Sequence, residues 1–451
     1  MNKREISKRK RKNARLYPVY KMFSWDLLCF YSIEFLFYTK TKGVTASQVL
    51  IINAFYVLFR IFMQLPAVTL VDMLGRRKGI IIGNFLLAIY LIVLIFAPGM
   101  IGVIIADFIC ALGFDMKIIA ETNLLYDSVA TRGGEGLYLN LDSKGGSWYY
   151  WLNGMVCLTA GYLFVYNNYL PMVVCLGFVI ISLIMSFGFK DIYTVKELGK
   201  KNIKQALKDY SVDLKQSFKF ITKSNRMRSY VIFGAIFYGA VKMIDIYRNE
   251  LLVSKGIPEE QYSMILAVLM FVAGIAVTMT KQIHRKFRNR TLTVLSLAFI
   301  GGCIVIGIVT NIFPNELSIP IILMMCVVLK VCSSIWFILE YKYLKNFSTN
   351  ENRNKITSTY EIINSTVTSL MAVLASLLLD KIGIDSAFII VSLVLLIAIV
   401  LSLDYMKTRI GLKPSEYSKA DLEMEKPIKK ESKTKIWFYT SDFCFLLIKN
   451  K

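Results

Sequence analysis

Residues Leu50–Ala97 read LIINAFYVLFRIFMQLPAVTL, then VDMLGRRKG, then IIIGNFLLAIYLIVLIFA. Each apolar run, wound as a helix, is long enough to cross the roughly 30 Å of hydrocarbon in a bilayer. The short stretch between them holds an acid, a glycine and three consecutive cations. Arg76, Arg77 and Lys78 are too costly to place among acyl chains, so they pin a turn at the head groups. Gly75 gives that turn the positive φ that side chains with a Cβ resist. The stretch therefore reads as two membrane helices joined at one face.

The pattern recurs along all 451 residues, which are 55% hydrophobic with a mean hydropathy of +0.53. The runs are continuous and do not alternate, which favours helices over a membrane barrel. Twelve spans are expected, at roughly 18–39, 47–71, 79–97, 100–129, 147–166 and 169–189, then 229–253, 260–281, 292–311, 317–345, 356–380 and 385–406. A basic N-tail, 1–17, precedes them, and a C-tail, 407–451, follows. A polar stretch, 190–228, divides two near-equal six-helix bundles, 18–189 and 229–406. Equal halves point to an internally repeated fold. The expected fold class is an all-α integral membrane protein, twelve transmembrane helices in two six-helix pseudo-repeats around a central cavity. Within the polar stretch, KELGKKNIKQALKDYSVDLKQSFKFITK reads as an amphipathic helix on the inner leaflet or a solvated linker helix.

The net charge of +23 fits this topology better than a nucleic-acid partner. Most of the 54 Lys and Arg residues lie in the tails, the polar stretch and alternate loops, whereas the opposite loops hold Lys40, Lys42, Lys255 and Lys381. By the positive-inside rule both termini are cytoplasmic. The eight cysteines fall almost all in apolar runs without a CxxC pair, and His284 is the single histidine, so neither a disulfide framework nor a metal site is expected. Trp148, Tyr149, Tyr150 and Trp151 read as an interfacial aromatic belt.

Charges inside the spans carry the functional reading. Each costs at least about 2.5–3.5 kcal/mol at a span centre unless it has a partner or a watery cavity. They fall in the first span (Asp26, Glu34), the fourth (Asp107, Asp115, Lys117, Glu121), the seventh (Lys242, Asp245, Arg248) and the tenth (Lys330, Glu340), with Arg60 in the second. Lys242, Asp245 and Arg248 step by three and share one helical face. Together these groups point to a polar translocation path. For any one of them, a structural ion pair is the competing reading.

The turn Asp72-Met-Leu-Gly75-Arg76-Arg77 resembles the loop signature G-x-x-x-D-x-x-G-R-[KR] of the major facilitator superfamily, with Val68 where the first glycine stands. LLYDSV, residues 124–129, is similar to the fourth-span ending of bacterial members. The resemblance covers about 18–406. It implies that spans 1, 4, 7 and 10 line a central cavity. It also implies a cytoplasmic gate in which Asp72, Gly75, Arg76 and Arg77 meet Asp127 and latch the two halves. GMVCLTAGYL, residues 154–163, resembles the fifth-span signature of antiporters but lacks its Gly-Pro. Acids of the first span serve proton coupling in drug:proton antiporters of the superfamily, which implies that role for Asp26 and Glu34, with Asp115 and Glu121 as competitors.

No P-loop, G-x-S-x-G or HExxH pattern appears, so neither ATP-driven transport nor enzymatic catalysis is expected. The expected protein is a secondary-active transporter. It exports a small molecule, works as a monomer amid membrane lipid, and uses no cofactor beyond a proton gradient as coupling ion. Composition suggests a bacterial inner membrane. Uptake of a polar or zwitterionic nutrient is the transport alternative, and a non-transporting receptor or scaffold the alternative of another class.

Overall fold

The computed structural model describes residues 3–129, 134–192, 212, 215–287, 290–346 and 353–407. The C-tail and most of the proposed linker helix lie outside the described residues. Among the described residues every regular element is helical: α1 (Lys3–Ser24), α2 (Phe30–Leu36), α3 (Ala46–Leu74), α4 (Arg76–Phe96), α5 (Gly99–Val129), α6 (Gly134–Tyr166), α7 (Leu170–Ser186), α8 (Asn225–Ser254), α9 (Glu259–Phe287), α10 (Thr291–Ile312), α11 (Asn315–Asn346) and α12 (Arg353–Lys407).

Local chemistry sets the boundaries. Thr45 caps α3 in a reciprocal box with Gln48. Gly75, at φ 89°, ends α3 and starts α4. Lys42 donates to the carbonyls of Ile95 and Ala97, both at 2.8 Å, and so satisfies the open end of α4. Gly83 lets α4 lie directly on α5, because a Cβ there would stand 2.8 Å from the Lys117 amide nitrogen and 2.9 Å from the Gly113 carbonyl oxygen.

Seven helices among the described residues are long and apolar enough to cross a membrane, and Leu170–Ser186 is a shorter apolar one. The 31-residue α5 is not among the seven; it carries Asp107, Asp115, Lys117 and Glu121. One of the seven stretches, Thr359–Met406, runs through Gly383 at φ 72°, where α12 breaks.

The first expected span, 18–39, is not one helix. The helix begins at Lys3, inside the stretch read as a tail, and stops at Ser24. The chain then unwinds and resumes as α2, which widens into a π turn at Phe37–Thr41. Cys29 takes φ 71° in the break. Unwound backbone at membrane depth survives only where protein groups satisfy it, and here they do. The Cys29 amide donates to Asn153 Oδ1 at 3.2 Å, the Leu27 amide to Asp26 Oδ1 at 2.9 Å, and Lys117 Nζ caps the Ser24 carbonyl.

The helices pack as two groups. In the first, α4 and α3 lie on α5, and α1 lies on α6 and α7; in the second, α8 lies on α12, α10 on α11 and α12, and α9 on α11. The groups meet along two seams, α3 against α12 and α6 against α9. Bonds across the seams gather at the end that carries Lys40. Lys40 Nζ meets Glu259 at 2.9 Å, Ser47 Oγ bonds Asp380, Ser369 Oγ donates to the Ala54 carbonyl at 3.1 Å, and the Gly161 amide donates to Ser263 Oγ at 2.8 Å.

Candidate functional site: a charged hollow between the helix groups

The break between α1 and α2 turns two acids toward the second group. Asp26 Oδ1 accepts from the Leu27 amide and from the Tyr31 hydroxyl at 3.1 Å. Glu34 follows on α2, half-buried. Lys242, in the middle of α8, is exposed even though α8 is the most buried of the candidate spans. It lies near the Tyr238 ring, 5.8 Å from its centroid, and its charge reaches both Asp26 and Glu34. A mid-helix ammonium with exposed surface, its charge within reach of two carboxylates of the other group, marks a polar interior between the groups.

The floor on the first group is α5. Asp115 is buried at 5% exposure and accepts from Arg60 Nε at 3.0 Å and from a second guanidinium nitrogen at 2.8 Å. Lys117 is buried, caps Ser24 and sits 4.6 Å from the Phe114 ring centre. Glu121, one turn further, is buried within reach of the Lys117 and Lys21 charges and of the Tyr20 hydroxyl. Asp107 is buried near Glu34.

On the second group, the three-residue ladder resolves into a pair and a free end. Arg248 donates to Asp245 at 2.6 Å and to Asn249 at 3.0 Å. Lys330 of α11 acts on Asp245 from the neighbouring helix. Asp26, Glu34 and Asp107 make the first wall acidic, whereas Lys242 and Lys330 make the second basic.

Glu340 stands apart from this hollow. It is fully buried where α8, α11 and α12 meet, against Tyr360 and Asn364. The turn residues form a separate cluster. Arg76 is ion-paired with Asp127 and donates to the Asn123 carbonyl at 3.0 Å. The Arg77 amide donates to Asp191 at 2.9 Å, and its guanidinium to the Phe187 carbonyl at 3.2 Å. Asp72 is exposed at the end of α3. These bonds clasp α4 to α5 and to the segment after α7, all within the first group, whereas the resemblance implies a latch between the two groups.

Several contributors escape sequence reading. Lys21 pairs with Asp142 and covers Trp25 at 4.4 Å, and Asn153 holds the break. Tyr149 is buried and, with the half-exposed Tyr150, packs against Trp25; Trp151 meets Phe271 at the α6–α9 seam, 5.7 Å between centroids. This cluster therefore serves the inside of the molecule and a seam, besides any belt. An asparagine in the middle of an apolar run is the one sequence signal that points to the support of the break.

Apolar helices in two groups around a charged interior describe a multi-pass membrane protein. The Major Facilitator Superfamily model matches residues 22–341 and 256–447, and the chain belongs to that family. Solved structures share the fold. A nucleoside transporter, NupG, superposes with TM-score 0.68 at 10% identity, covering 88% of this chain and 99% of that one. A POT family transporter in complex with 5-aminolevulinic acid gives 0.61 at 12%, covering 90% and 96%. A D-xylose-proton symporter gives 0.60 at 10%, covering 89% and 97%. No curated protein matches the sequence.

Proposed function

We propose that this chain is a proton-coupled secondary transporter that carries a small polar molecule through the hollow by alternating access. The observation that carries the reading is Asp26 and Glu34 facing Lys242 across the interior from opposite helix groups. A carboxylate that gains and loses a facing cation as the groups rock binds and releases a proton in step with that motion. In this reading the polypeptide makes twelve crossings in two six-helix bundles as a monomer of a bacterial inner membrane, with both termini in the cytoplasm. Arg60, Asp115, Lys117, Glu121, Asp245, Arg248 and Lys330 serve as fixed charges of the path. Export is the direction that the resemblance to drug:proton antiporters supports.

The opposed walls favour a second reading, uptake of a zwitterion whose ammonium meets the acidic wall and whose anionic end meets Lys242 and Lys330. Proteoliposomes under an imposed pH gradient separate the two. A lipophilic cation and a panel of amino acids and short peptides are the probes. Transport of either class that collapses with an uncoupler and in Asp26→Asn or Glu34→Gln supports coupling at these acids. Gradient-driven transport retained in both variants sinks that assignment.

A further inference from the structure

Glu340 is buried to 0% exposure, and no ion pair is made to it among the described residues. Its oxygen Oε1 accepts twice, from the Tyr360 hydroxyl at 2.6 Å and from the Asn364 amide nitrogen at 3.1 Å. Its other oxygen, Oε2, is buried with no partner, and so is Asn364 Oδ1. Two orphaned acceptors on two residues already joined by one bond is an expensive arrangement, because each lost bond costs about 1–3 kcal/mol. One proton resolves both. An acid hydrogen on Oε2 donates to Asn364 Oδ1 while the Asn364 amide donates to Oε1, and the two side chains close a ring of two hydrogen bonds. We propose that Glu340 and Asn364 form a proton-binding site, separate from the central hollow, that is complete only when Glu340 is protonated.

The surroundings are built for this contact. Tyr360 and Asn364 lie one turn apart on α12 and reach the same carboxyl. Gly234 on α8 makes room for Tyr360, because a Cβ at that position would stand 2.2 Å from its hydroxyl. Tyr230, also on α8, donates to the Glu340 backbone carbonyl at 2.7 Å and stacks on Tyr360 with centroids 6.3 Å apart. The site therefore ties three helices of the second group through one side chain.

Among the described side chains, the charged and titratable groups around it are few. From α12 comes Glu361, and from α8 come Tyr230, Tyr238 and Lys242. On α11 itself Tyr341, Lys342, Tyr343 and Lys345 follow Glu340 directly, their side chains outside the described residues, and Lys330 lies nearly three turns before it. The neighbouring α9 carries Lys281, His284, Arg285 and Lys286 in its last turns, where His284 bonds Thr291. The sequence of α10 contains no Asp, Glu, Lys, Arg or His. Glu361 opposes a negative charge on Glu340, and Lys242 favours it from a distance.

The site rests on the transport reading only for its purpose, which is to let proton occupancy tighten or loosen the α8–α11–α12 junction. The test needs neither substrate nor gradient, so it reads out whether or not transport is found. Infrared difference spectra of the reconstituted protein are recorded across a pH titration in H2O and D2O. The expected result is a buried carboxylic-acid carbonyl band that is deuterium-sensitive, absent in Glu340→Gln, shifted in Asn364→Leu and unchanged in Asp26→Asn and Glu34→Gln. Glu340→Asp, which keeps the acid, retains a titrating band if the glutamine variant folds poorly. A spectrum of Glu340→Gln superimposable on the wild type overturns the proposal. So does a Glu340 that stays ionised throughout the titration; a merely structural carboxylate would lower thermal stability without moving the band.

Discussion

Asp115 takes both of its bonds from one guanidinium, with its second oxygen buried and bare. Removing Arg60 strands that carboxylate. Breaking a buried pair costs about 3–5 kcal/mol, and the half-exposed Arg60 side chain puts this one near the lower end. Arg60→Ala should therefore lower the unfolding midpoint in detergent, and Arg60→Ala/Asp115→Ala should recover most of the loss. A double variant no better than the single contradicts the pairing. At this scale the sequence was half legible. A lone charge in an apolar run announces itself, so Asp26, Asp115, Lys242 and Lys330 could be picked out by eye. Their partners could not, because Arg60 and Asp115 lie 55 residues apart and only the helix packing joins them. Glu340 shows the same limit, since Tyr360 and Asn364 look like ordinary helix residues until α12 is folded onto α11.

At the scale of elements, the helices were legible because hydrocarbon demands long apolar runs. The interruption at Trp25–Cys29 was not. Nothing in WDLLC breaks a helix by propensity; the break exists because Asn153 and Lys117, both remote in sequence, satisfy its backbone. Asn153→Leu should therefore disturb the break and reduce transport more than it reduces stability, a split read by comparing initial rates with thermal midpoints. Equal loss of both would assign Asn153 to folding alone. Close contact between α4 and α5 yields a second prediction. Gly83→Ala forces a Cβ onto the α5 backbone and should cost about 1–3 kcal/mol, as overpacking does. Gly177→Ala, where a Cβ meets nothing within 4 Å, should leave the midpoint unchanged or raise it. Equal effects at the two sites would mean that α4 and α5 are not in backbone contact.

For the whole molecule, the seams close one end of the hollow through Lys40–Glu259 and Ser47–Asp380. If the two groups rock, that end must part during each cycle. A disulfide between Lys40→Cys and Glu259→Cys should abolish transport, with reduction restoring it; full transport with the bridge formed would rule out opening there. The central claim is that charged side chains in the middle of the bundle face water and not lipid. Thiol accessibility in membranes tests it most directly. The seven described cysteines are all buried, and with Cys444 of the C-tail replaced by serine the background is low. Lys242→Cys and Arg60→Cys should react rapidly with a charged, water-soluble methanethiosulfonate. Ile101→Cys and Ile184→Cys, at side chains 75% and 64% exposed on the apolar outer surface, should not. Reaction at Lys242→Cys no faster than at Ile101→Cys would contradict the account.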